Sequence, residues 1–321
     1  MSQDIFVVVE HLRGEVAEIT YVMLGMGRTL AEGTGGKVVA VLLGQNATGL
    51  ASDLSADQAL YVEHPSLAEF TPDAYSAALA AVIADAKPRA VLLGSTSIGS
   101  DVASVLSARL KLPMISSCRT AGRDGTLQCQ ICGGKIMAEA RLPDSTALVT
   151  VIPGGHPADA GRSTQPAAVT AFAPPELSQL RVSLKQYIEP EAGDVDIAKE
   201  PVLVSIGRGI QTGDNVELAE ELAKALGGVV CGSRPVVDQG WLPASRLVGK
   251  SGKRVKPKLY LAVGVSGAPE HMEAVTDSQL ILAINTDAAA PIFGLAKYGT
   301  TLDLFDLVPA LTSAIQQAKA A

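Results

Sequence analysis

Four short stretches between residues 233 and 287 carry the side chains best suited to hold an anionic ligand. The first, Ser233-Arg234-Pro235, follows directly on a strand pattern, so its guanidinium either faces a ligand or pairs with Asp238 one helical turn on. In the second, Val248-Gly249-Lys250-Ser251-Gly252-Lys253, glycines bound a loop with a hydroxyl and two ammonium groups, which suits close approach to an anionic or electron-rich ligand. The leading glycine of a P-loop is absent at the required spacing, so Gly-Lys-Ser is not an ATP motif here. The third runs from an apolar strand over residues 259–263 into Gly264-Val265-Ser266-Gly267-Ala268 and a short helix carrying His271. That arrangement either offers free amides and a helix dipole to a pyrophosphate or is an ordinary tight strand-to-helix turn. The histidine itself either meets a ligand or is bonded into the core. The fourth, Ala283-Ile284-Asn285-Thr286-Asp287, ends another strand with side chains that read a phosphate or adenosine, or cap the turn.

Other candidates have weaker chemistry. Cys129-Gln130-Ile131-Cys132 has the spacing of a redox or zinc half-site, but it falls in a strand pattern, where residues three apart point to opposite faces. No second cysteine pair accompanies it, and Cys118 and Cys231 complete a set of thiols expected to be reduced. His11, His64 and His156 have no acidic or cysteine neighbours at ligand spacing, so no metal site is expected. Ser95-Thr96-Ser97 after a strand either binds phosphate or caps a helix, and capping suffices.

The elements that must position these residues read as α/β throughout. With 321 residues, 47% of them hydrophobic and 18% charged, the chain has material for one large or two ordinary cores. In the N-terminal part, strands are expected over residues 5–10, 37–43, 59–62 and 90–93, alternating with helices over 16–30, 72–86 and 100–110, the pattern of a parallel sheet with crossovers. Residues 122–143 alternate around Asp124-Gly125 as an antiparallel hairpin. Six prolines from Pro153 to Pro190 and a charge cluster interrupt residues 153–200, placing a boundary near Asp194 and dividing the chain into domains 1–193 and 194–321. Strands over 202–206, 228–231, 259–263 and 279–284, with a helix over 214–226, then build a second parallel sheet. The net charge of −7 disfavours nucleic acid, and the apolar run over 5–9 is too short for a signal core or a membrane span, which predicts a cytoplasmic protein.

Taken in order, these pieces resemble the α subunit of an electron transfer flavoprotein. The match extends from Val202-Leu203-Val204-Ser205-Ile206-Gly207-Arg208-Gly209 through the four stretches above to Ala290-Pro291-Ile292-Phe293, Tyr298-Gly299 and Asp303-Leu304-Phe305. The resemblance covers nearly the whole C-terminal domain, and the N-terminal domain fits the family's nucleotide-binding-like, adenine nucleotide alpha hydrolase-like fold more loosely. It implies an FAD in this chain and a β subunit as partner. Arg234 would lie against the isoalloxazine and favour its anionic reduced forms, Ser251 would bond flavin N5 and His271 would reach the O2 side. Gly209, Ser233, Lys250, Gly264, Ser266, Gly267, Ala268, Asn285, Thr286, Asp303 and Leu304 would complete the cofactor site, with Ser266 and the following amides on the pyrophosphate and Asp303 at the adenosine end. Lys250 departs from the family's usual Gln, which raises the flavin potential if the ammonium points inward. Glu270 stands where Gln is common; a carboxylate there is able to raise the His271 pKa, and the sequence leaves open whether the ring is cationic or neutral.

The resemblance further implies electron transfer from acyl-CoA or other flavoprotein dehydrogenases, as in fatty acid β-oxidation, to a quinone oxidoreductase, without direct membrane insertion. It places AMP in the β subunit of a simple carrier, or a second FAD and NADH-dependent electron bifurcation in the other class. A hinge before Val202 would let the FAD domain swing. Rival readings are an NAD-binding enzyme on a similar fold and an interaction subunit without flavin.

Overall fold

The computed structural model describes residues 2–132, 136–187 and 195–320. Two compact units make up the chain, the first ending at Tyr187. The boundary expected at Asp194 lies outside the described residues.

The first unit begins with β1 (Ile5–Val8), the two-residue antiparallel pair β2 (His11–Leu12) and β3 (Glu15–Val16), α1 (Glu18–Thr34), β4 (Val38–Gly44) and β5 (Gln58–Glu63). It continues with α2 (Pro72–Ala86), β6 (Ala90–Gly94), α3 (Ser97–Leu110), β7 (Met114–Ala121), β8 (Thr126–Ile131), β9 (Ile136–Arg141), β10 (Ala147–Val151) and β11 (Val169–Phe172). Nine strands form one sheet in the order β11-β5-β4-β1-β6-β10-β7-β8-β9, parallel except at β7-β8-β9. All seven residues of β4 are buried, as a strand covered on both faces requires. Alternate residues of β1 feed separate cores, Ile5 and Val7 on one face and Phe6 and Val8 on the other.

Several elements depart from expectation for local reasons. α1 begins at Glu18, because Val16 is drawn into β3, and it runs on to a left-handed cap at Gly35. α3 starts three residues early, since the Thr96 hydroxyl accepts the Gly99 amide at 3.0 Å. Thr71 precedes α2 at the cap position, but its hydroxyl is buried without a partner. The antiparallel hairpin expected over 122–143 is present as β8 and β9, and β7, which precedes that range, extends it to three strands. β10 and β11 add to the parallel sheet where no strand was expected, and β11 lies in the proline-rich stretch. That stretch stays with the first unit as far as Tyr187, with Leu177 buried in its core and Arg181 bonded to Asp73.

The second unit contains β12 (Val202–Ile206), α4 (Val216–Leu226), β13 (Val229–Gly232), α5 (Arg234–Asp238), β14 (Leu259–Val263), α6 (Pro269–Met272), β15 (Ile281–Ile284), β16 (Tyr298–Thr300) and α7 (Leu304–Ala320). The sheet is parallel throughout, in the order β13-β12-β14-β15-β16. Strand order therefore reverses between β12 and β14, and in such sheets the crevice outside the carboxyl ends at that point is where ligands enter. α4 and α7 close one face, with Leu222 and Val308 in a common core. Among the described residues no helix is long and apolar enough to cross a membrane, and no cluster of three His, Cys, Asp or Glu is placed to hold a metal.

The cysteines pair differently from their spacing. Cys118 and Cys129 oppose each other across β7 and β8 with sulfurs 3.0 Å apart, both buried, while Cys132 is exposed beyond the end of β8. Burial pushes the Cys118 thiol up and the Cys231 thiol to about 12. In the native protein a maleimide should therefore modify Cys132 alone, and the other three thiols only in denaturant. Peptide mass spectrometry showing native modification of Cys118, Cys129 or Cys231 would contradict this packing.

Candidate functional site

The crevice at the order reversal of the second sheet is a cleft of about 590 Å³. Its floor is made by bare backbone. Gly207 and Gly209, after β12, lie so close to Gly264, after β14, that a Cβ on Gly209 would stand 2.7 Å from the Gly264 Cα. A Cβ on Gly207 would overlap the Gly264 carbonyl, and Gly264 itself adopts φ +64°. The Gly209 amide donates to the Gly264 oxygen at 3.1 Å, locking the two turns together.

Beyond Gly264 the chain turns through residues 265–268 into α6. The carbonyl of Val265 accepts from Asn285 Nδ2 at 2.9 Å and that of Ser266 accepts from the Ile292 amide at 3.1 Å. Among the described residues, the four amides of Val265, Ser266, Gly267 and Ala268 donate to no acceptor in the chain, and all four residues line the cleft. A row of unpaired donors is a site that an anion or water must satisfy.

Arg234 opens α5 on one wall. Its Nε donates to Asp238 at 2.7 Å and its Nη1 to the Ser251 hydroxyl at 3.1 Å. Thus the two readings its sequence left open hold together, for the side chain is ion-paired and lines the cleft. Ser233 beside it is buried and also lines the cleft. The Ser251 loop is tied to α6 through the Lys250 amide, which donates to the Glu270 carbonyl at 2.9 Å. Of the loop's two ammonium groups, only Lys250 lines the cleft, with an exposed residue. Lys253 is paired with Asp196 at 2.7 Å and holds that carboxyl below its ordinary range.

His271, on α6, lines the cleft and is buried, 6% exposed. Its Nε2 lies 2.7 Å from the Tyr260 hydroxyl and its Nδ1 3.2 Å from the Val248 carbonyl. Burial lowers its pKa to about 4, so the ring is neutral at physiological pH. Of the two states the sequence left open for this ring, burial selects the neutral one, and the exposed Glu270 does not offset it.

A smaller recess of about 90 Å³ shares Gly209, Gly264 and Asn285 with the cleft and adds Thr286, Asp303 and Leu304. Asp303 caps α7, accepting the Phe305 amide at 2.9 Å, and Asn285 Oδ1 accepts the Asp287 amide at 3.0 Å. Every residue expected at the site from the sequence is thus found in one or other of these two adjoining spaces. Arg208 and Gln211 line them too and were not singled out. The glycines flanking Arg208 marked the turn, whereas Gln211, with φ +70°, carries no sequence signal of its own. The donor set fits an elongated dinucleotide with a diphosphate at its middle: four free amides, cations from Arg208, Arg234 and Lys250, and a recess at one end.

The first unit has an order reversal as well, between β1 and β6, but a carboxylate fills it. The Thr96 hydroxyl donates to Glu10 Oε2 at 2.7 Å, and only about 10 Å³ remains beside it. Burial raises the Glu10 carboxyl.

Residues 5–177 match the family described as the electron transfer flavoprotein domain, and residues 196–276 match the electron transfer flavoprotein FAD-binding domain. The chain is 35% identical to the electron transfer flavoprotein subunit alpha of Thermoanaerobacterium thermosaccharolyticum, over 99% of each chain. It is 34% identical to the acryloyl-CoA reductase electron transfer subunit beta of Anaerotignum propionicum, over 99% of this chain and 96% of that one. A third relative, the lactate dehydrogenase (NAD(+),ferredoxin) subunit LctC of Acetobacterium woodii, is 30% identical over 98% of this chain and 78% of its own.

The neutral histidine makes stability depend on pH. A ring whose pKa falls from 6.5 to about 4 on folding contributes fully above 6.5, and the contribution is lost as pH drops towards 4. Urea unfolding followed through Trp241, the single tryptophan, should show the second unit losing on the order of 3 kcal/mol between pH 7 and 4, and a smaller loss in His271→Gln. Equal losses in both proteins would contradict the assignment.

Proposed function

The chain belongs to the electron transfer flavoprotein α-subunit family, and on that premise we propose that its second unit holds one FAD. In complex with a β subunit it would carry electrons from flavoprotein dehydrogenases, acyl-CoA dehydrogenases among them, to a quinone-linked acceptor. The observation that carries this reading is the row of free amides at 265–268 facing the same cleft as the Arg234–Ser251 pair. FAD, when bound, supplies reversible one- and two-electron chemistry.

The chain's residues hold the cofactor and set its electrostatics. Residues 265–268 offer donors for a diphosphate, and Asn285, Thr286, Asp303 and Leu304 border the adenosine end. The Arg234 guanidinium favours negative charge arriving in the cleft, with Asp238 offsetting part of that field. The Ser251 oxygen accepts from Arg234, which leaves its own hydrogen for a ligand acceptor. His271 is neutral and adds no charge.

A second reading, electron bifurcation with NADH, is favoured by the LctC relative, whose name gives both NAD(+) and ferredoxin. The two differ in the β subunit, which would carry AMP in a simple carrier and a second FAD in the bifurcating class.

Co-purified with its β partner, the chain should be yellow with one FAD on this subunit; a colourless complex that binds NAD tightly would favour the dehydrogenase-like rival. Arg234→Ala should lower the first-electron midpoint potential by about 60 mV, a tenfold change for one electron. Lys250→Gln should move it less, since it is Arg234 that is fixed to the Ser251 hydroxyl in the cleft wall. Potentiometry showing the reverse order would refute these roles.

A further inference from the structure

Tyr260, on β14, is fully buried, yet its hydroxyl is not without purpose: it reaches His271 Nε2 at 2.7 Å. The other ring nitrogen, Nδ1, lies 3.2 Å from the Val248 carbonyl. A carbonyl oxygen only accepts, so Nδ1 carries the proton and Nε2 accepts from the tyrosine O–H. The imidazole is thereby pinned from two directions, by a central strand on one side and by the loop leading to Ser251 on the other. Phenylalanine would fill the same volume without the bond, so packing alone does not account for the hydroxyl. Removing it would leave Nε2 as a buried acceptor without a donor, a state that is relieved by changing tautomer or turning the ring.

We propose that Tyr260 is a positioning residue that locks His271 as the Nδ1-protonated tautomer in the cleft wall, so that the histidine meets the cofactor as a fixed dipole. Metal-ligating and catalytic histidines are oriented in the same way by the partner of their second nitrogen. This inference rests on FAD being the ligand of the cleft, as proposed above. Tyr260 lines no part of the cleft and acts only through the histidine.

The test uses the heterodimer with histidine labelled by ¹⁵N, together with a mutant cycle. In the wild-type complex, His271 should show Nδ1 protonated and Nε2 unprotonated at neutral pH; a dominant Nε2–H tautomer overturns the proposal without any variant. Tyr260→Phe should mix the tautomers and shift the first-electron equilibrium of the flavin by about fivefold, the effect of one net hydrogen bond. In a His271→Gln background, the same Tyr260→Phe change should have little effect on that equilibrium. An unchanged tautomer in Tyr260→Phe, or an equal shift in both backgrounds, would show that the tyrosine does not act through the histidine. FAD content is measured in the same samples. A wild-type complex without FAD would refute the cofactor reading, while the histidine spectrum would still decide the role of Tyr260.

Discussion

Close backbone contact between Gly207, Gly209 and Gly264 is the constraint on which the second unit's chemistry depends. Parallel strands β12 and β14 end side by side where the sheet order reverses, and their turns meet with no side chain between them. Because one turn is locked to the other, the next four amides of the chain run along the cleft instead of into a ladder. Asn285 and Ile292 hold that segment by its carbonyls, and its donors stay free. This side of the cleft is therefore main chain, positioned by glycine and anchored from the segment that follows β15.

Electrostatics distinguishes the two units, although both are parallel sheets with an order reversal. In the first, Glu10 closes the crevice and takes the Thr96 hydroxyl as its donor. In the second, cations and amides face the cleft, and the histidine in its wall is kept neutral by burial. Arg234 is bonded directly to another cleft side chain, Ser251, and its field is moderated by Asp238. The site thus combines a permanent positive charge with neutral donors whose geometry is set by their neighbours.

Much of this was legible in the sequence. The strands ending at Ile206, Val263 and Ile284 are apolar runs stopped by small or polar residues, and the cleft residues follow each of them. Other elements carry weak signals. β11 is a four-residue edge strand between prolines with mostly exposed side chains, and α7 contains Pro309, which reads as a breaker. The pairing of Cys129 with Cys118 depends on strand register, which spacing along the chain does not encode. Likewise, Tyr260 looks like any buried residue of β14 until the fold brings it to His271. The charge state of that histidine follows from burial, a tertiary property that the sequence neighbour Glu270 does not reveal.

The central claim is that the glycine-built turn and its free amides cradle the diphosphate of FAD in this chain. A crystal structure of the complex with the β subunit tests it most directly. The account predicts diphosphate oxygens within hydrogen-bond distance of the amides at 265–268, with the flavin ring beside Arg234 and the adenosine towards Asp303. Density for FAD elsewhere, or those four amides bonded to protein in a flavin-loaded complex, would contradict it.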